Sequence, residues 1–113
     1  MKDTRQQLEF ISKQYNILSY IESHYRIIQK VTMFDTTTKE EYITLLFKLN
    51  RNTSIIMDCI TEYEDGRPSY RDVYFDIFDK HSLPENPLYT LSWRHSDETI
   101  EYHYENVSKI IKE

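Results

Sequence analysis

Acids, tyrosines and histidines are the residues of this chain with chemistry to offer, and the acids run densest in SIIMDCITEYEDGRPSYRDVYFDIFDK, Ser54 to Lys80. Between Ile55 and Asp79 stand Asp58, Glu62, Glu64, Asp65, Asp72, Asp76 and Asp79, against Arg67 and Arg71 alone; the excess equals the whole chain's net charge of −5. The negative field is therefore local. Tyr70 and Tyr74 alternate with Asp72 and Asp76, and rings interleaved with carboxylates suit recognition of a basic protein. The rings bury area at little cost in entropy, and the acids steer the partner. Asp58, Glu62, Tyr70, Asp72, Tyr74 and Asp76 are the candidate partner-binding residues.

Other chemistries find less support. His24, His81, His95 and His103 are scattered, none with a second histidine or cysteine at CxxC or HExxH spacing. Even His95 and His103 meeting on an exposed hairpin, with Glu101 and Glu105 beside them, would fall short of a complete ligand shell. No metal or cofactor is expected. The lone Cys59 cannot form an internal disulfide, reads as a small buried hydrophobe, and fits a reducing cytoplasm. With Gly66 the one glycine and no serine in a GxSxG elbow, neither phosphate-cradling loops nor a nucleophile elbow is available, so no enzyme is expected. An acidic chain has no general attraction to phosphate backbones, which argues against direct nucleic-acid binding. The apolar runs, such as Leu45-Leu46-Phe47, are far too short to span a membrane, and MKDTRQQLEF lacks the apolar core of a secretory signal.

At 113 residues the chain makes one domain, 1–113, with a single core. The first thirty residues read as one long helix: Leu8, Ile11, Tyr15, Leu18, Ile21, Tyr25 and Ile28 recur at helical spacing, with Phe10, Ile17 and Val31 widening the stripe. Thr4 with Gln7 fits a capping box, and Asp3 competes as the cap. The wide stripe would pack the core or form a homodimer. DTTTKEE, Asp35 to Glu41, is a polar connector.

Beyond Glu41 one pairing scheme satisfies every apolar run. Ile55 opposite Ile77, Met57 opposite Phe75 and Cys59 opposite Val73 share a face, with the turn signal Asp65-Gly66 and Pro68 in the loop between. Backwards, Leu49 meets Ile55, Phe47 meets Met57 and Leu45 meets Cys59 around NRNTS. Tyr89, Leu91 and Trp93 alternate with Thr90, Ser92 and Arg94, and a loop HSDE would set them against Tyr104, Tyr102 and Ile100. Asn106 to Glu113 closes as a short helix. The expected fold is α+β: a long N-terminal helix on an antiparallel meander of four or five strands. Its outer face presents Tyr42, Thr44 and Lys48, then Ile56, Asp58, Ile60 and Glu62, then Tyr70, Asp72, Tyr74, Asp76 and Phe78.

The competing fold is all-helical. Ile55, Ile56, Cys59, Ile60 and Tyr63 fit a helix, as do Tyr70, Val73, Tyr74, Ile77 and Phe78, though Met57 and Phe75 then leave the stripes. SDETIEYHYENVSKII resembles the recognition helix of LuxR-type DNA-binding domains at Ser96, Thr99, Ile100, His103, Asn106, Val107 and Ile111. EYEDGRPSYRDVYFDIF resembles the helix-entry pattern of sigma-like phage regulators. Those resemblances imply a small helix-turn-helix transcriptional regulator. The sheet implies instead a non-catalytic acidic protein that inhibits or regulates a basic, nucleic-acid-handling protein, in the manner of phage anti-defence inhibitors and toxin-immunity proteins.

Overall fold

The structure, a computed structural model, describes residues 3–14 and 16–96. Among the described residues the fold is α+β, with two short helices on a five-stranded antiparallel sheet. The single long N-terminal helix does not form. In its place stand α1 (Thr4–Ser12) and α2 (Ile17–His24).

Local polar chemistry explains the break. Asp3, rather than Thr4, caps α1: its carboxylate accepts from the Gln6 N–H at 2.8 Å while Gln6 Oε1 accepts from the Asp3 N–H at 3.2 Å. At the other end Ser12 Oγ donates to the Glu9 carbonyl (2.7 Å) and Gln14 Nε2 to that of Phe10 (3.0 Å). Such side chains compete with continuation of the helical ladder. Asn16 then caps α2 by accepting from the Ser19 N–H at 3.1 Å. Tyr25 is already extended (φ −136°, ψ 158°), and Ile28 and Val31, read from spacing as helical, lie in β1 (Arg26–Asp35). Their β-branched neighbours Ile27 and Thr32 likewise favour a pleated surface.

The other strands are β2 (Glu40–Asn50), β3 (Thr53–Glu64), β4 (Arg67–Asp79) and β5 (Tyr89–Ser96), each paired with its neighbour in sequence. Ile55–Ile77, Met57–Phe75 and Cys59–Val73 face each other as the alternation requires. This pairing excludes the all-helical reading of these residues, and EYEDGRPSYRDVYFDIF is a hairpin rather than a helix entry. Asp65 (φ 55°) and Gly66 (φ 77°) make a two-residue turn with both residues left-handed, the geometry that matches strand twist. Pro68 therefore lies inside β4, opposite Tyr63, not in a loop; the register slips by one beside it, leaving Ser69 as the bulged residue.

The β2–β3 register differs from expectation by two residues. Phe47 faces Ile55, Leu45 faces Met57 and Ile43 faces Cys59, because the turn is tight at Arg51-Asn52 and Leu49 is taken up as a bulge. The same face is buried either way, which is why alternation alone did not separate the two registers. Along β5, Tyr89, Leu91 and Trp93 lie opposite Ile77, Phe75 and Val73. The expected strand at 100–105, with its pairings to β5, and the closing helix at 106–113 lie outside the described residues, as does the LuxR-like segment after Ser96, itself the last residue of β5.

Leu8, Ile11, Ile17 and Ile21 from the helices pack on the inner face of the sheet against Ile43, Leu45, Phe47, Ile55, Met57, Val73, Phe75 and Ile77. Each such side chain, taken fully out of water, contributes about 1.5–3 kcal/mol of transfer free energy. The opposite face carries the candidate site.

Candidate partner-binding face

The registers arrange the outer face in rows that run across the strands. One row reads Gln29, Leu46, Ile56, Asp76, Thr90; the next reads Val31, Thr44, Asp58, Tyr74, Ser92. Then come Met33, Tyr42, Ile60, Asp72, Arg94, and finally Asp35, Glu40, Glu62, Tyr70, Ser96. Strand alternation thus brings all six candidate residues to one surface, on β3 and β4.

They are not equivalent there. Asp58 and Asp76 are diagonal neighbours across β3 and β4. Burial first, and the Asp58 charge second, hold the Asp76 carboxyl above its ordinary range. Asp58 accepts a hydrogen bond from Thr44 Oγ1 at 2.8 Å. Tyr74, 42% exposed, lies directly across from Asp58 and offers its ring to solvent.

Asp72 is committed within the chain. Arg94 forks onto both its oxygens at 2.7 and 2.8 Å, and the guanidinium also lies 4.3 Å from the centre of the Tyr70 ring. Its hydrogen bond to Asp72 raises the Arg94 pKa. Tyr70 in turn is hydrogen-bonded to Glu62, which with burial pushes its phenol up to about 12. Tyr42 donates to Glu40 Oε1 at 2.7 Å, and Glu40 stands across from Glu62. One end of the face is therefore a linked network of tyrosines and charges, while Asp58 and Asp76 repel each other across β3 and β4.

Phe78 is buried, not exposed, at the end of β4. Arg71, grouped by sequence with the acidic stretch, points inward with no exposed surface. The alternation that places Val73, Phe75 and Ile77 inside requires this of Arg71, so the signal was present. Arg94 was equally legible as outward beside Trp93, but its partner Asp72 needed the β4–β5 register.

The inner face ends in a polar row: Phe34, Glu41, Thr61, Arg71, His95. One terminal Arg71 nitrogen donates to the Ser12 carbonyl at 3.2 Å and the Gln14 carbonyl at 3.1 Å, at the C-terminal end of α1, where the helix dipole favours a cation. Burial raises the Glu41 pKa, while the Tyr63 hydroxyl (3.5 Å) and the Arg71 charge oppose the rise. His95 is buried, contrary to the exposed placement expected; burial, Arg71 and Lys13 lower its pKa. Its Nε2 and Thr61 Oγ1 have no hydrogen-bond partner among the described residues. In the adjoining row burial pushes the Cys59 thiol up to about 12, far from the thiolate a nucleophile needs. His103 lies outside the described residues.

A separate open groove of about 380 Å³ is lined by Gln7, Phe10, Tyr20, Tyr25 and Leu49. Two of its rings pack together, Phe10 edge-on to Tyr20 at 5.8 Å, and Tyr20 also stacks on His24 at 4.1 Å.

Comparison with models of known protein families, with curated proteins and with solved structures finds no match to this chain.

Proposed function

We propose that this chain is a small non-catalytic binding protein that inhibits or regulates a basic protein by covering it with the outer face of the sheet. The Asp58–Asp76 pair carries the reading. Two carboxylates held as diagonal neighbours by strand register, with Asp76 already disfavoured as an anion, form a site that an arginine or lysine from a partner would relieve. Tyr74 beside them supplies an exposed ring for the aliphatic stem or guanidinium plane of that residue. Glu40 and Glu62 extend the negative field along the face. Proteins that handle nucleic acids are the natural class of partner, since contiguous basic surface is the footprint of phosphate recognition.

The test is affinity capture from cells of the source, comparing the wild-type chain with Asp58→Lys/Asp76→Lys. The expected result is an identified basic protein, bound in fixed proportion, released by moderate salt and lost from the variant. An equal yield from both chains, or a shift of duplex DNA by the isolated protein, overturns the proposal.

A further inference from the structure

Strand β1 is the second feature with an unmet requirement, and it is independent of the acidic face. It runs ten residues, pairs with β2 on one side, and has no strand on its other edge among the described residues. An edge of this length presents a row of backbone N–H and C=O groups, which proteins ordinarily blunt with proline, a guarding lysine, a bulge or a covering element. β1 has no proline, and its bulge sits near the start, at Ile28, leaving Gln29 to Asp35 regularly paired with β2. Its one lysine, Lys30, is drawn away toward α2 by Glu22, at 3.0 Å. Ile28, Val31 and Met33 are 50, 55 and 59% exposed, the largest exposures of apolar side chains on the sheet.

We infer that β1 pairs antiparallel with β1 of a second copy of this chain, joining two sheets edge to edge into one. Charge favours a copy as the occupant. Arg26 opens the strand, and Asp35 ends it with Glu40 opposite. A two-fold antiparallel arrangement sets the basic start of one copy toward the acidic end of the other. The two-fold axis must stand perpendicular to the sheet and pass midway between one residue and its own counterpart, so that paired side chains share a face. Centring on Lys30 would set lysine against lysine. Centring on Thr32 uses the whole regular run: Thr32 meets its counterpart, Gln29 meets Asp35, and Val31 meets Met33 on both sides of the axis. Thr–Thr and apolar pairs of this kind are the favourable cross-strand combinations. The exposed aliphatics of the outer face then cover each other.

Sedimentation equilibrium over a range of concentrations tests the inference. The wild-type chain is expected to have twice the chain mass at high concentration. Val31→Lys/Met33→Lys, which puts like charges where the apolar pairs meet, is expected to weaken dimerisation at least tenfold with an unchanged far-UV spectrum. Thr32→Cys is expected to cross-link the dimer on mild oxidation. A wild-type monomer throughout, or a dimer indifferent to the lysine variant, overturns the inference and leaves the acidic-face proposal untouched. If Val31→Lys/Met33→Lys unfolds, the Thr32→Cys cross-link decides, and its absence counts against the pairing.

Discussion

Replacing Arg71 by methionine keeps most of the side chain's apolar stem and removes only the guanidinium. In the folded protein that group is fully out of water, donates to the carbonyls of Ser12 and Gln14, and lowers the cost of a half-buried Glu41. Two charge-assisted hydrogen bonds are worth about 1.5–3 kcal/mol each. Removing the charge also recovers part of its desolvation cost, and loss of one member of a buried charged pair nets about 3–5 kcal/mol in measured cases. The Tyr63 hydroxyl still reaches Glu41 once the guanidinium is gone, so a loss of about 3 kcal/mol, the lower end of that range, is expected for Arg71→Met. With a urea slope of about 1–3 kcal/mol per molar, the midpoint falls by about 1–3 M. The one tryptophan, Trp93, sits edge-on to Phe75 at 5.8 Å and reports the transition by fluorescence. Glu41→Gln made on top of Arg71→Met should restore part of the loss, because it removes the stranded carboxylate. If Arg71→Met unfolds within about 0.5 kcal/mol of wild type, the size of an ordinary surface change, Arg71 does not hold α1 to the sheet.

Three further outcomes follow from the same physical terms. Asp76 has a raised folded pKa, so its contribution to stability is complete below the unfolded value near 3.8 and is lost as pH rises through the folded one; Asp76→Asn should melt higher than wild type at pH 7, with the gap closing below about pH 4. His95 has a lowered folded pKa, so the unfolded chain takes up the proton first and stability falls as pH drops below about 6.5; His95→Gln should flatten that slope, and an NMR titration of the ring should place its midpoint below the free value. Gly66→Ala places a Cβ at φ 77° in the two-residue turn and should cost about 1–2 kcal/mol by thermal denaturation; no loss would mean the turn relaxes to another type.

Alternation in the sequence was enough to pair β3 with β4 from Ile55–Ile77 to Cys59–Val73, because a slip by one would have turned Asp58, Asp72 and Asp76 into the core, though it left Pro68 in the turn rather than in β4. It failed at β2–β3 for the complementary reason: a slip by two keeps the same residues inside, and the Leu49 bulge that selects between them leaves no mark on hydrophobic period. The N-terminal third misled because its apolar residues fall at helical spacing through Ile28. The information that stops the helix is instead polar and partly distant: Ser12, Gln14 and Asn16 act locally, and Arg71 reaches back to the same turn from β4. At the candidate face, the membership of all six residues was legible, but their inequality was not. Asp72 is neutralised by Arg94, and only the β4–β5 register reveals it.

The simple order of the sheet bears on how the chain reaches this state. Since each strand lies beside its predecessor, every hairpin closes a short loop, and the ladder can zip from one turn to the next with little entropy surrendered at each step. The bonds from Arg71 to the end of α1 span 59 and 57 positions and break that pattern. They can form once β4 is in place, so α1 is expected to lock onto the sheet after β4 has paired. Changes at Arg71 should then quicken unfolding while leaving the rate of collapse nearly untouched.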